Sequence, residues 1–196
     1  MPNFEEVCRK IFSDSRWIKK VLIGSLLCFI PIVNLFAFGY LYRFAEQLRR
    51  KGSFDLPEWV EWRRLFREGL RFLFVWVLYF LVPLLLGWFV SEGLDFFTSG
   101  ALGRLIYLPF SMVMLLVPAL TVAALFVYQT KDRFQDILQF KIILRMIQLT
   151  ARRLIVPSFV LIGIMWVFWP LCGFTFFIGF ILVIPYYTLL FIKLKD

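Results

Sequence analysis

The sequence contains no histidine, and this absence removes the side chain that proteins use most often as a general base and as a metal ligand. Neither a Ser-His-Asp nor a Cys-His catalytic arrangement is therefore possible. The three cysteines, Cys8, Cys28 and Cys172, are an odd number without paired spacing, so they favour neither a disulfide framework nor a metal site. No glycine-rich phosphate-binding loop is present. We expect no enzymatic activity, no cofactor and no metal.

Charge is also scarce. Only 18% of the residues are charged and 61% are hydrophobic, with a mean hydropathy of +0.81, whereas an ordinary soluble domain is about 45–50% apolar. The long apolar regions contain no Asp, Glu, Lys or Arg. Ionisable residues inside membranes mark the proton relays of many transporters, so their absence argues against a proton-coupled carrier built by this chain alone. The composition predicts an all-α, polytopic integral membrane protein that forms a single membrane domain over residues 1–196.

Four apolar regions carry the predicted membrane segments, namely residues 21–42, 72–90, 105–128 and 154–192. The fourth region would be about 58 Å long as one helix, which is nearly twice the thickness of a hydrocarbon core. It must therefore fold back. Proline and glycine interrupt helices, so residues 170–173 are the expected turn.

The first apolar region contains Pro31 and Asn34 near its middle. If this region crossed the membrane once, either the five cations before it or the eight that follow would lie outside. If it turns back between Pro31 and Asn34, 21 of the 22 Lys and Arg residues share one side, as expected for cytoplasmic loops. We therefore favour a re-entrant helical hairpin over residues 15–50. A single crossing stays open, because 22 residues make about 33 Å of helix.

This arrangement places both termini in the cytoplasm and the protein in the cytoplasmic (inner) membrane as a multi-pass protein. It contains two full-length single spans and two helical hairpins, together with two to three interfacial helices. The predicted order is an interfacial helix at 1–14, the re-entrant hairpin at 15–50, an interfacial helix at 55–71, spans at 72–90 and 105–128, an interfacial helix at 132–153 and a helical hairpin at 154–192.

The predicted helix over residues 55–71 is amphipathic. Asp55 is a suitable cap for its start, and Pro57 suits the first turn. Trp59 and Trp62 lie on its apolar face, whereas Arg64 lies on the charged face opposite. This pattern is typical of a helix in the headgroup plane of a membrane, and it also fits a helix packed on the protein's own membrane segments. We predict that Trp59, Trp62 and Arg64 contact lipid.

A second set of candidate residues lies between 132 and 153. Lys141, Arg145 and Arg152 share one stripe of the predicted helix. Such a line of cations can bind anionic lipid headgroups, and it also fits ordinary cytoplasmic positive charge with side chains that extend to the interface. Although the formal net charge is +9, we expect no nucleic-acid partner, because the cations lie beside membrane segments.

Several motifs resemble a bacterial and archaeal membrane family catalogued as domain of unknown function four-zero-one-three. The resemblance covers most of the chain, and a Leu-Pro-Glu-Trp-x-x-Trp loop is its most specific part. The resemblance implies a membrane architecture and no active site. The residues that carry the resemblance are WIKK at 17–20, IPIV at 30–33, GYLYR at 39–43, LPEWVEW at 56–62, LF at 65–66, GL at 69–70 and the segment 134–153.

Together these features predict a non-enzymatic membrane protein that organises the membrane, contacts lipid or serves as an accessory subunit of a membrane complex. The alternative is a small transporter or channel subunit, whose path forms at an oligomer interface with its entrance near Pro31 and Asn34. A membrane enzyme acting on lipid headgroups is a third interpretation. Substrate, partner and oligomeric state, including a homo-oligomer, are left open by the sequence.

Overall fold

A computed structural model of the chain describes residues 4–99, 101–131, 138–167 and 171–195. These residues are largely helical and include no strand, which confirms the all-α prediction. A π-helical turn at Val77–Leu81 joins α4 to α5, and a 3-10 turn at Gly103–Tyr107 precedes α6. The α-helices are α1 Phe4–Phe12, α2 Trp17–Cys28, α3 Asn34–Lys51, α4 Trp62–Trp76, α5 Val82–Thr98, α6 Leu108–Lys131, α7 Phe140–Val167 and α8 Cys172–Lys195.

Among the described residues, four helical segments are long and apolar enough to cross a membrane. They are Trp62–Thr98, Gly103–Thr130, Phe140–Met165 and Gly173–Leu194. The predicted boundaries between interfacial helices and spans, at residues 71/72 and 153/154, do not coincide with helix ends. The charge pattern changes there, but no proline or glycine interrupts the backbone. The location of residues 62–71 and 140–153 in the headgroup layer stays a prediction.

The first apolar region is broken where Pro31 and Asn34 indicate a turn. α2 ends at Cys28 and α3 begins at Asn34, and the two helices pack against each other. In the turn, Ile32 adopts a left-handed conformation with φ 72, and the Asn34 backbone N–H donates to the Ile30 carbonyl at 2.9 Å. The entry of this hairpin into the membrane from one side stays a prediction.

That topology predicts which thiols react from outside the cell. In a background without native cysteines, we place single cysteines at Lys51, the last residue of α3, and at Ala101, which follows α5; both are exposed. A membrane-impermeant thiol reagent should label position 101 in intact cells and spare position 51. Permeabilised cells should label at both sites and so show that each thiol is reachable. Labelling of position 51 in intact cells would contradict the hairpin.

The C-terminal helices α7 and α8 pack against each other and are joined by polar contacts. The buried hydroxyls of Ser158 and Tyr187 lie 2.8 Å apart, and Tyr187 also donates to the Leu154 carbonyl at 3.1 Å. Hydrogen bonds of this kind hold membrane helices in register. The turn predicted at residues 170–173 lies partly outside the described residues, and α8 begins within it, at Cys172.

The hydrophobic core is centred on α3 and α8. Tyr40 and Phe44 of α3, and Phe177, Phe180 and Tyr187 of α8, are completely buried. α3 packs against α2, α4, α6 and α8, so it is surrounded by protein over much of its length. An element that enters a membrane without crossing it needs its backbone polar groups shielded by protein. α3 meets this requirement, because other helices surround it.

α3 and α4 cross antiparallel at two glycines. A Cβ on Gly39 would overlap the Leu65 carbonyl oxygen, and a Cβ on Gly69 would overlap the Leu35 carbonyl oxygen. The two contacts are reciprocal, because both helices carry the same short motif, Leu-Phe-x-x-Gly, at residues 35–39 and 65–69. Small residues allow such a close approach of helix backbones. A repeat this short is not evident from the sequence alone.

The long segment Trp62–Thr98 is continuous but not uniform. Its π-helical turn, Val77–Leu81, ends two residues before Pro83. Proline lacks the N–H that would donate to the carbonyl four residues earlier, and its ring crowds that carbonyl. A wider π turn there accommodates the proline without ending the helix.

Candidate functional site

The segment between α3 and α4 is an ordered loop and not the predicted start of a helix. α3 ends at Lys51 and is followed by Gly52, whose φ is 65. The Ser53 hydroxyl donates to the Asp55 carboxylate at 2.8 Å, and Gln47 Nε2 donates to the Asp55 carbonyl at 2.9 Å. α4 begins only at Trp62. The prediction of a helix start at Asp55 is wrong, because the side chain that would cap the helix binds Ser53.

Lys20 fixes this loop to α2. Its side chain is buried, and Nζ donates to the Leu56 carbonyl at 2.7 Å and contacts the carboxylates of Asp14 and Glu58, each at 2.9 Å. Burial by itself would lower the pKa of Lys20, but the hydrogen bonds and charges of the two carboxylates raise it. Lys20 therefore stays protonated and holds the loop in place.

Trp59 packs on the protein's own helices. Its ring stacks on Tyr40 with centroids 4.3 Å apart and lies 6.4 Å from Phe177, while its Nε1 donates to the Lys20 carbonyl at 3.1 Å. Trp62 stacks on the outer side of Trp59 and is 47% exposed. Trp59 precedes α4, so the two tryptophans do not share one helical face. Contact of Trp59 and Trp62 with lipid stays a prediction.

A charged cluster connects α3 to α4 beneath these rings, and Glu68 lies at its centre. Glu68 is only 6% exposed. One carboxylate oxygen accepts from Arg43 Nε at 3.0 Å, and the other accepts from Arg64 Nε at 2.8 Å. Arg64 also contacts Glu61 at 3.4 Å. The Arg64 charge is thus already matched by carboxylates. Glu68 is buried against Arg43, although it lies on the same helix as the exposed Arg64.

Next to this cluster is a polar cavity of about 260 Å³. Its walls carry four cations and two carboxylates, and one pair, Arg50 and Glu46, is in contact at 2.7 Å. The lining residues therefore carry two more positive than negative charges. The lining residues are Arg43, Glu46, Gln47, Arg50, Lys51, Glu61 and Arg64.

The cations of α7 are in a different environment. Lys141, Arg145 and Arg152 are exposed and form no ion pair with any residue of the described ranges. Large apolar side chains are exposed beside them on the same helix. These are Ile142, Leu144, Leu149, Ile155 and Val156.

The remaining predicted residues, Pro31 and Asn34, lie in and after the turn between α2 and α3, apart from the cationic stripe of α7. Pro31 is exposed, and Asn34 is half-buried. The predicted site residues therefore occupy three separate places: the aromatic and charged contacts between α3 and α4, the exposed stripe of α7, and the α2–α3 turn.

A comparison with known protein families identifies the family of this chain. The family described as "Protein of unknown function (DUF4013)" matches residues 23–184, which is most of the chain. The chain belongs to this family. The match confirms the family resemblance seen in the sequence. Neither a curated protein nor a solved structure matches the chain.

The DUF4013 match includes most of the features described above. It contains the α3–α4 glycine crossing, the Arg43–Glu68 cluster and the cations of α7, but it begins after Asp14 and Lys20. Within the described ranges of this DUF4013 protein, no group of three or more His, Cys, Asp or Glu residues is placed to hold a metal ion. The surfaces available for a ligand are therefore polar, cationic or apolar.

Sequence reasoning missed two residues of this DUF4013 chain, Arg43 and Glu68. A signal existed for Arg43, because it ends the GYLYR motif quoted for the family resemblance and is the first charge after a long apolar run. Glu68 offered no such signal, since an acid among arginines on an amphipathic helix usually faces water. Arg43 and Glu68 are 25 residues apart in the sequence, so no local sequence pattern indicates that they form a pair.

Proposed function

We propose that this chain is a non-enzymatic, lipid-contacting protein of the cytoplasmic membrane, which binds anionic headgroups through Lys141, Arg145 and Arg152. One observation carries the proposal: these three cations are exposed, lack ion-pair partners among the described residues and are flanked by exposed apolar side chains. A cation beside apolar surface fits the boundary between headgroups and hydrocarbon.

The contrast with other cations of the chain supports this assignment. Lys20, Arg43 and Arg64 each contact two carboxylates. Their positive charge is compensated by carboxylates of the protein itself. The stripe of α7 has no such partner among the described residues, so lipid phosphates are its natural counter-ions. Each Lys or Arg near an anionic membrane surface contributes about 1 kcal/mol of attraction.

The length of α7 fits the same position. Its 28 residues make about 42 Å of helix, which exceeds a hydrocarbon core of about 30 Å. The excess corresponds to about two turns, and the cations are confined to the first half of the helix. Lys141 and Arg145 then lie at headgroup level, and Arg152 reaches that level by extending its side chain.

The test compares lipid dependence between two variants with the same loss of charge. The triple variant Lys141→Gln, Arg145→Gln, Arg152→Gln should lose most of the stabilisation that phosphatidylglycerol gives over phosphatidylcholine in nanodiscs, measured as the unfolding midpoint. The matched control is Arg9→Gln, Arg16→Gln, Lys19→Gln, at exposed sites of the N-terminal segment, and it should retain that stabilisation. If both triple variants lose this stabilisation equally, the effect depends only on net charge. That result would contradict a specific lipid-binding surface on α7.

A further inference from the structure

The polar cavity between α3 and α4 has a fixed inner wall and an open rim. The inner wall contains Arg43, whose side chain is largely buried and binds Glu68 at 3.0 Å. On the rim, the side chain of Arg50 is 65% exposed and that of Arg64 is 60% exposed, and Lys51 is exposed as well. A ligand can therefore reach the cations of the rim without breaking the inner ion pair.

The positive charge around the cavity exceeds what the nearby carboxylates compensate. Three carboxylates in and behind the wall, Glu46, Glu61 and Glu68, contact three of the four lining cations. The fourth cation is Lys51, which forms no ion pair with a described residue. Arg50 contacts Glu46 through Nη2, so its Nε and Nη1 groups stay available for a ligand. The unmatched charge and these unused donors lie together on the rim.

The rim cations come from two helices. Arg50 and Lys51 belong to the last turn of α3, and Arg64 belongs to the first turn of α4. A phosphate group carries its acceptor oxygens in a tetrahedral arrangement, so it can bind donors from both helices at once. Hydrogen bonds from charged donors to such oxygens are shorter and stronger than those between neutral groups. The cavity volume of about 260 Å³ lies slightly below the range for drug-sized ligands and suits a small polar group.

We propose that this cavity binds a phosphate group, supplied either by a phospholipid headgroup or by a soluble phosphate ester. Lys51 and Arg50 bind the phosphate oxygens, and Arg64 adds N–H donors from α4. Lys20 holds the loop that joins the two helices, so the helix ends keep their spacing before the ligand arrives, which reduces the ordering that binding requires. The site is separate from the cations of α7 and does not depend on headgroup binding there.

The experiment compares small ligands that differ in their anionic group. Purified full-length protein in dodecyl maltoside is titrated at constant ionic strength with glycerol 3-phosphate, with dihexanoyl phosphatidic acid, or with malonate, a dicarboxylate of similar charge. We expect the phosphate ligands to raise the unfolding midpoint at low millimolar concentration and malonate to leave it unchanged. A response to phosphatidic acid alone identifies a headgroup as the ligand, and a response to glycerol 3-phosphate alone identifies a soluble ester. An equal shift with malonate, or no shift with either phosphate, would overturn the proposal.

Two double variants with the same loss of charge assign the site. Arg50→Gln, Lys51→Gln should weaken binding of the phosphate ligands by about tenfold or more, because it removes hydrogen bonds to a charged group. Arg16→Gln, Lys19→Gln, at exposed sites of the N-terminal segment, is the matched control and should keep the affinity of the unmodified protein. If the first variant does not fold, Lys51→Gln alone provides the same test.

These cations could instead serve only the C-terminal carbonyls of α3, which carry partial negative charge. In that case Arg50→Gln, Lys51→Gln would lower the unfolding midpoint without ligand and keep the full response to phosphate, and this result would refute the proposal. The triple variant of α7 should also keep that response. Loss of the phosphate response in the α7 variant would place the binding there and overturn the site between α3 and α4.

Discussion

Gly69→Ala is expected to destabilise this protein more than any other single methyl addition on α4. The new Cβ would overlap the Leu35 carbonyl oxygen, which belongs to the backbone of a buried helix and cannot rotate away. Gly39→Ala creates the reciprocal overlap with Leu65. Overpacking in a core typically costs about 1–3 kcal/mol, and we expect at least the upper end here. The measurement is equilibrium unfolding in detergent, with the monodisperse fraction in size-exclusion chromatography as a second readout.

Gly93→Ala is the matched control, because Gly93 lies within α5 and a Cβ there meets nothing within 4 Å. This change should be neutral or slightly stabilising, since alanine favours helix over glycine by about 1 kcal/mol. The double variant Gly39→Ala, Gly69→Ala should cost less than the sum of the single changes, because the first methyl already separates the helices. Equal stability of Gly69→Ala and Gly93→Ala would show that the crossing is looser than described.

Glu68→Gln is expected to have an effect of comparable size. The Glu68 side chain is 8% exposed, and its carboxylate accepts a hydrogen bond from Arg43, whose side chain is 14% exposed, at 3.0 Å. Removing the negative charge leaves a buried guanidinium without its main partner, which typically costs about 3–5 kcal/mol. Glutamine preserves the shape of the side chain, so the loss reports the charge and not a cavity. The free energy of unfolding, measured as for the glycine variants, provides the test.

The control for this change is Glu5→Gln. Glu5 pairs with Arg9 at 3.2 Å, but the two side chains are 76% and 81% exposed, and exposed pairs contribute about 0–1 kcal/mol. Replacement of both buried partners, Arg43→Met with Glu68→Leu, should be tolerated better than either single replacement, because neither charge is then left unpaired. If the double replacement costs as much as the sum of the single ones, Arg43 and Glu68 are not coupled.

The helix break at Pro31 and Asn34 could be predicted because its cause is local. Turn-forming residues interrupt an apolar run, and the distribution of Lys and Arg on either side favours a reversal. The uninterrupted passage of α4 through residue 71 could not be predicted in the same way. A change from charged to apolar residues looks like a boundary, but helix formation depends on the backbone, and residues 70–76 are all compatible with it.

The contacts of the α3–α4 loop could not be predicted, because they join residues that are far apart in the sequence. Asp55 has the features of a helix cap, yet Ser53 and Gln47 bind it, and Lys20, 36 residues before Leu56, holds the next stretch of chain. Such long-range contacts override a local propensity. The stripe of α7, in contrast, followed directly from helical periodicity, and its residues are exposed as that pattern indicates.

The π turn at Val77–Leu81 sets the rotational phase between the two halves of the long helix. A regular helix advances by about 100° per residue, so one additional residue in a turn rotates all that follows by that angle. On an uninterrupted helical wheel, Gly87 and Ser91, the buried residues of α5, would lie about 60° and 100° to one side of the centre of the buried stripe that includes Leu65 and Phe72. The inserted residue brings both sets onto one side, so a single continuous seam faces the rest of the bundle, and the number of residues before Pro83 is as strongly constrained as their identity.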